Sequence, residues 1–140
     1  MPSDGLYDSL CQTAEALSGR RVDSVVPAAS GGNSRIYRVR CGQQDFALKC
    51  YPPRDHDPRE RAGTEFKALR FMERYCPGRA PLAYAVDASG YLLLEWIEGS
   101  RVVEVGPTEV DASVAFLSAL FNASARPEAR DMPLASEACL

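Results

Sequence analysis

A chain of 140 residues, 46% hydrophobic and 25% charged, has material for one soluble domain with a single modest core. The net charge of −3 lacks the basic excess of a nucleic-acid binder, no apolar run reaches membrane-spanning length, and the N-terminus has neither region of a signal peptide. Cys11, Cys41, Cys50, Cys76 and Cys139 are odd in number and without C-x-x-C spacing, and His56 stands alone. That pattern suggests neither a disulfide framework nor a clustered metal site and favours a reducing cytoplasm.

Asp4 to Ser18 reads as an amphipathic helix, with Leu6, Leu10, Ala14 and Leu17 at helical spacing, Asp4 as cap and Gly19 as stop. Val22–Ala29 is short and β-branched, a first strand, and the turn-rich Ser30–Ser34 follows it. A second strand, Arg35–Cys41, runs through a Gly42-Gln43-Gln44 turn into a third, Asp45–Tyr51. Pro52-Pro53 opens a polar loop through Asp57, and Pro58 suits the first turn of a long helix to about Tyr75. Its apolar stripe is Ala62, Phe66, Leu69 and Met72, and Pro77-Gly78 stops it. Leu82–Val86 and Tyr91–Ile97 predict two further strands around a turn at Asp87–Gly90. After a break at Glu98-Gly99-Ser100, Thr108 caps a helix to about Ala123, and the tail ends on a helix-like Ala135–Leu140. The order predicts an α+β fold: a five-stranded antiparallel sheet with one helix packed across it, an N-terminal helix and a C-terminal helical segment.

Four features carry chemistry. The adjacent Gly31 and Gly32 let backbone amides approach a phosphate, with Asn33 and Ser34 as further donors, although a Gly-Gly in a hairpin is more often just a turn. In Phe46-Ala47-Leu48-Lys49, period-two alternation puts Ala47 and Lys49 on one face of an apolar strand. A lysine there is costly unless it meets an anion, and the small alanine leaves room for a flat ligand; the alternative is a solvent-facing lysine. Glu65 borders the stripe of Leu69 and Met72, so its carboxylate can hold Lys49 while leaving donors for phosphate oxygens; otherwise it rims the helix and pairs with an arginine such as Arg61. Finally Tyr91–Ile97 is a buried strand running into the Glu98-Gly99 break, where backbone groups can read a base edge, or else an ordinary core strand and turn.

Together these segments resemble the Gly-rich loop, third-strand lysine and helix glutamate of kinases. More closely, S-G-G-N-S-R-I-Y-R-V, F-A-L-K, R-x-x-x-E-F-x-A-L-x-F-M and Y-L-L-L-E-W-I-E-G resemble the N-terminal lobe of aminoglycoside-phosphotransferase and choline-kinase-like enzymes, over roughly Ser24 to Gly99. The resemblance implies ATP as cofactor. Gly31, Gly32, Asn33 and Ser34 would cover its phosphates, Ile36 would pack on the adenine beside Ala47, and Lys49 would bind the α/β-phosphates and pair with Glu65. Leu94 would take the gatekeeper position, with Glu95 and Ile97 offering backbone hydrogen bonds to the base. The loop is G-G-N-S rather than G-x-G-x-x-G, which points to the small-molecule branch.

The family's catalytic H-x-D-x-x-x-x-N loop and magnesium aspartate have no counterpart here: His56 is followed by Asp57-Pro58 and sits between the third strand and the long helix. The expectation is therefore residues 1–99 as a kinase-like N-lobe, and 100–140 as hinge, linker and start of an absent helical lobe that holds magnesium and recognises a small-molecule acceptor. An apolar seam left by that absence invites self-association. The other readings are a non-catalytic interaction module reusing the fold and a plain α+β domain.

Overall fold

The computed structural model describes residues 4–30, 34–53, 55–56 and 59–133. Three consecutive strands, β1 (Ser24–Ser30), β2 (Arg35–Cys41) and β3 (Gln44–Cys50), form an antiparallel meander. Pro27 is tolerated in β1 because that strand lies at the sheet edge, and the register shifts between Pro27 and Ala29. The β2–β3 turn has two residues rather than three. Gly42 takes φ +63°, where a side chain would be strained, and its amide donates to Asp23 Oδ2 at 2.5 Å. This tight turn sets the register that matters later, Ile36 opposite Lys49 and Arg38 opposite Ala47.

β5 (Tyr91–Glu95) pairs with the free side of β3, and β4 (Ala83–Val86) pairs outside β5, giving the order β1-β2-β3-β5-β4. The strand that carries Lys49 is thus central. Asp87 accepts the amides of Ser89 and Tyr91 to shape the β4–β5 turn, and Gly90, at φ +92°, turns its carbonyl onto the Tyr51 amide at 3.0 Å. That bond anchors the chain where it leaves β3.

Alternation splits the sheet into two faces. Phe46, Leu48 and Leu93 join Val25, Tyr37 and Val39 in a core closed by Leu10 and Ala14 of α1 (Asp4–Ser18). Ala47, Leu92 and Leu94 face the other way, with Ala83 and with Leu69 of α2 (Arg61–Tyr75). Helices therefore cover both faces of the five-stranded antiparallel sheet, where the sequence suggested one helix laid across it. Both are amphipathic, and burial of their apolar stripes is what seats them.

Several boundaries move. α2 begins at Arg61, not at 58, because Glu60 caps it by accepting the Gly63 amide at 3.0 Å; the first-turn role expected of Pro58 lies outside the described residues. β5 stops at Glu95, leaving Trp96 and Ile97 beyond the strand. The third helix, α3 (Pro107–Ser124), starts at the proline with Gly106 before it, so Thr108 is inside its first turn rather than its cap. Glu109 reaches back to the Gly106 amide at 2.9 Å. A 3-10 turn at Pro127–Asp131 follows, which the sequence reading did not anticipate; the helix expected over Ala135–Leu140 lies outside the described residues.

α3 meets α2 at one end, where the Cys76 thiol lies 3.6 Å from the Ala119 carbonyl. Val110, Val114, Leu117 and Phe121, one stripe at helical spacing, remain exposed. No helix of the described residues is long and apolar enough to cross a membrane.

Candidate functional site

Lys49 stands on the central strand and Glu65 on the helix that covers the same face. Lys49 Nζ donates to both carboxylate oxygens of Glu65, at 2.9 and 2.8 Å, and the two side chains keep 19% and 26% of their surface. Tyr51, just past the end of β3 and one alternation step beyond Lys49, donates its hydroxyl to Glu65 Oε2, and its ring lies 4.9 Å from Lys49 Nζ. Burial pulls the Lys49 ammonium down, but the bonds to Glu65 and Tyr51 outweigh it and leave the lysine above its ordinary value. Burial, then the hydrogen bond to Glu65, raises the Tyr51 phenol, which stays protonated and donating. A lysine so placed is charged, fixed and short of full burial. It can meet an anion without first losing its partner.

Ile36, Ala47 and Leu94 share this face. Ala47 and Leu94 are 9% and 7% exposed, because Ile36, Phe66 and Trp96 pack against their cluster. The small side chain of Ala47 therefore does not leave bare sheet: larger neighbours fill the space. Glu95 is at the end of β5 and commits its amide to the Leu82 carbonyl at 2.8 Å, while its carboxylate accepts the Leu82 amide at 3.0 Å. A ligand could draw on the Glu95 carbonyl but not on its amide. Ile97 is past the strand and exposed. Ser34 lies just before β2; Gly31, Gly32 and Asn33 fall outside the described residues.

Sequence reading missed three residues at this face. Tyr51 was within reach of it, since one more step of the alternation that pairs Ala47 with Lys49 arrives there. Arg38 was not, because its place opposite Ala47 depends on the turn being two residues long. Its guanidinium lies 4.6 Å from the Trp96 ring centroid, donates to Glu98 Oε1 at 2.6 Å and to Asp45 Oδ2 from Nε at 2.9 Å. Arg40 adds 2.8 and 2.9 Å bonds to Asp45, and the two arginines, Arg40 foremost, hold the Asp45 carboxyl well below the usual carboxylate range. Trp96 is the third: its Nε1 is buried and has no hydrogen-bond partner among the described residues.

Two cavities, of about 490 and 480 Å³, lie elsewhere, one on the α1 face and one between α2 and the 3-10 turn. We assign the chemistry to the Lys49 face nonetheless, since cavity size says nothing about charge. Among the described residues no three His, Cys, Asp or Glu side chains cluster so as to hold a metal ion.

No protein-family model matches the chain, and neither does any curated protein sequence. Among the solved structures that do match is a protein of Thermobifida fusca YX-ER1 provisionally named a fructosamine-3-kinase. The TM-score is 0.53 and the identity 22%, over 69% of this chain and 33% of that one. The present chain thus spans about a third of that protein's length. At this identity the likeness is one of fold: α+β, with a five-stranded antiparallel sheet and helices, similar to the N-lobe of a kinase-like protein.

Proposed function

We propose that this chain is the nucleotide-binding lobe of an ATP-dependent phosphotransferase of the aminoglycoside-phosphotransferase and choline-kinase-like type, acting on a small-molecule hydroxyl. The observation that carries the reading is the Lys49–Glu65 pair, a lysine of the central strand held through both carboxylate oxygens by the covering helix. The name of the Thermobifida fusca protein, a small-molecule kinase, fits the same class.

The residues present suit ATP. Lys49 supplies a fixed cation for phosphate oxygens, with Ser34 and the glycines before it as donors, and Ile36, Ala47 and Leu94 supply an apolar wall for the base. The orphaned Trp96 Nε1 and the exposed Ile97 lie on the stretch leaving β5, where a base edge would bring acceptors and donors. Bound ATP supplies the phosphoryl group to be transferred. In this reading residues 1–99 are the N-lobe and 100–140 the hinge and the start of a helical lobe. The base and magnesium ligands belong to residues outside this span, because the 140 residues contain no H-x-D-x-x-x-x-N sequence. The chain by itself transfers no phosphate.

Titrating a non-hydrolysable ATP analogue into the labelled chain tests this by NMR. Saturable shifts at Ser34, Lys49 and Glu95–Ile97, weakened at least tenfold in Lys49→Ala, are expected; shifts confined elsewhere would overturn the assignment. The exposed stripe of α3 favours a second reading, a non-catalytic interaction module built on the same fold. Absence of nucleotide binding together with saturable binding of a protein through that stripe would select it.

A further inference from the structure

The reverse face of the sheet holds a cavity of about 490 Å³ at the end of β2 and β3, within the range of small-molecule pockets. Strand register builds its floor. Arg35, Cys50 and Tyr91 are direct cross-strand neighbours in one row, with Tyr37 in the next row on the same face. Leu6 and Leu10 of α1 form one wall, and the rigid Pro52-Pro53 step closes the end.

The polar groups here are few, and no described residue uses them. The Arg35 guanidinium has no ion pair, and the Tyr37 and Tyr91 hydroxyls have no hydrogen-bond partner, among the described residues. Burial pushes the Cys50 thiol up to about 12, so that wall carries no charge. The Asp87 carboxylate, whose charge acts on the Cys50 thiol, is occupied by the amides of Ser89 and Tyr91 and does not line the cavity. What remains is an aromatic, aliphatic chamber with one cation at its rim.

We propose that this is a second ligand site, for a planar apolar molecule carrying a single carboxylate, back to back with the Lys49 face. The rings of Tyr37 and Tyr91 and the leucines of α1 take the planar body. Arg35 takes the carboxylate by a bidentate, charge-assisted pair, and the tyrosine hydroxyls serve a polar substituent. The site is not isolated. Tyr51 is one of the residues lining the cavity, and its hydroxyl, on the other face, donates to Glu65, so an occupant that shifts Tyr51 is felt at the ion pair.

The test titrates the full chain with indole-3-acetate, and with indole-3-acetamide as its neutral twin, observing backbone amides by NMR. Saturable shifts at Ser34, Arg35, Cys50 and Tyr91 are expected with the acid, at least tenfold weaker with the amide. Arg35→Gln, an exposed change that leaves the unfolding midpoint in place, is expected to weaken the acid at least tenfold. Occupancy should also move the Glu65 carboxyl carbon resonance in the parent chain, and at equal occupancy leave it unmoved in Tyr51→Phe. No shift at those amides up to about 10 mM, a millimolar affinity being the weakest worth calling a site, would overturn the proposal. So would equal affinity for acid and amide, or an Arg35→Gln chain that binds as well as the parent. A Glu65 signal that ignores the ligand in the parent chain would overturn the link through Tyr51.

Discussion

Glu65 receives two donors, an ammonium and a phenol, and each substitution around it has a different signature. Glu65→Gln leaves a half-buried lysine without its counter-charge and is expected to cost about 1–2 kcal/mol at neutral pH, less than a fully buried pair because both side chains still touch water. Lys49 is raised by its partners in the folded chain, so this stabilisation is complete below the unfolded lysine value of about 10.4 and disappears as pH rises through the folded one. Urea unfolding of parent and variant should show a constant gap from about pH 6 to pH 9 that narrows above about pH 10.4. Asp45 has the opposite sign. Arg40 and Arg38 depress it, so its contribution is present above about pH 4 and fades as pH falls below that. Asp45→Asn leaves two arginines side by side on one strand and should cost about 1–2 kcal/mol at pH 7, a gap that narrows as pH falls below about 4.

At the scale of elements, the two-residue β2–β3 turn is the point on which the geometry of the face depends. Gly42→Ala puts a side chain into the left-handed region and should lower stability by about 1–2 kcal/mol, read as a fall in the thermal midpoint, without moving the Lys49 signals. β2 and α1 were legible from the sequence to the residue, because alternation and helical spacing are strong there and each is bounded by a glycine or polar turn. The Lys49 and Glu65 faces were legible for the same reason. Arg38 was not, since counting Gln44 into the turn obscures the pairing that puts it opposite Ala47, although a Gly followed by one residue is itself a hairpin signal. Helix starts were displaced toward familiar caps, Pro58 and Thr108. The structure instead uses Glu60 at α2, and Gly106 before Pro107 at α3. The coverage of Ala47 by Trp96 and Ile36 is a tertiary fact that no local pattern encodes.

For the molecule as a whole, α3 is held at one end and presents Val110, Val114, Leu117 and Phe121, the last 78% exposed, to solvent. A stripe of that kind is expected to bring chains together as concentration rises, and Leu117→Glu with Phe121→Glu should return the sedimentation profile to monomer while leaving the unfolding midpoint unchanged. The strand order has a different consequence, one of timing. β3 is laddered on both sides, whereas β1 and β4 each lose a partner on one side. Amide protons of Phe46 to Lys49 should then be among the last to exchange with deuterium, and those of the outer strands among the first. α2 rests on the sheet through side chains alone, with no share in the ladder. Excursions from the native state should therefore peel Glu65 away with its helix while Lys49 stays in register, so that a lysine-selective acylating reagent would find a brief opening long before the sheet comes apart.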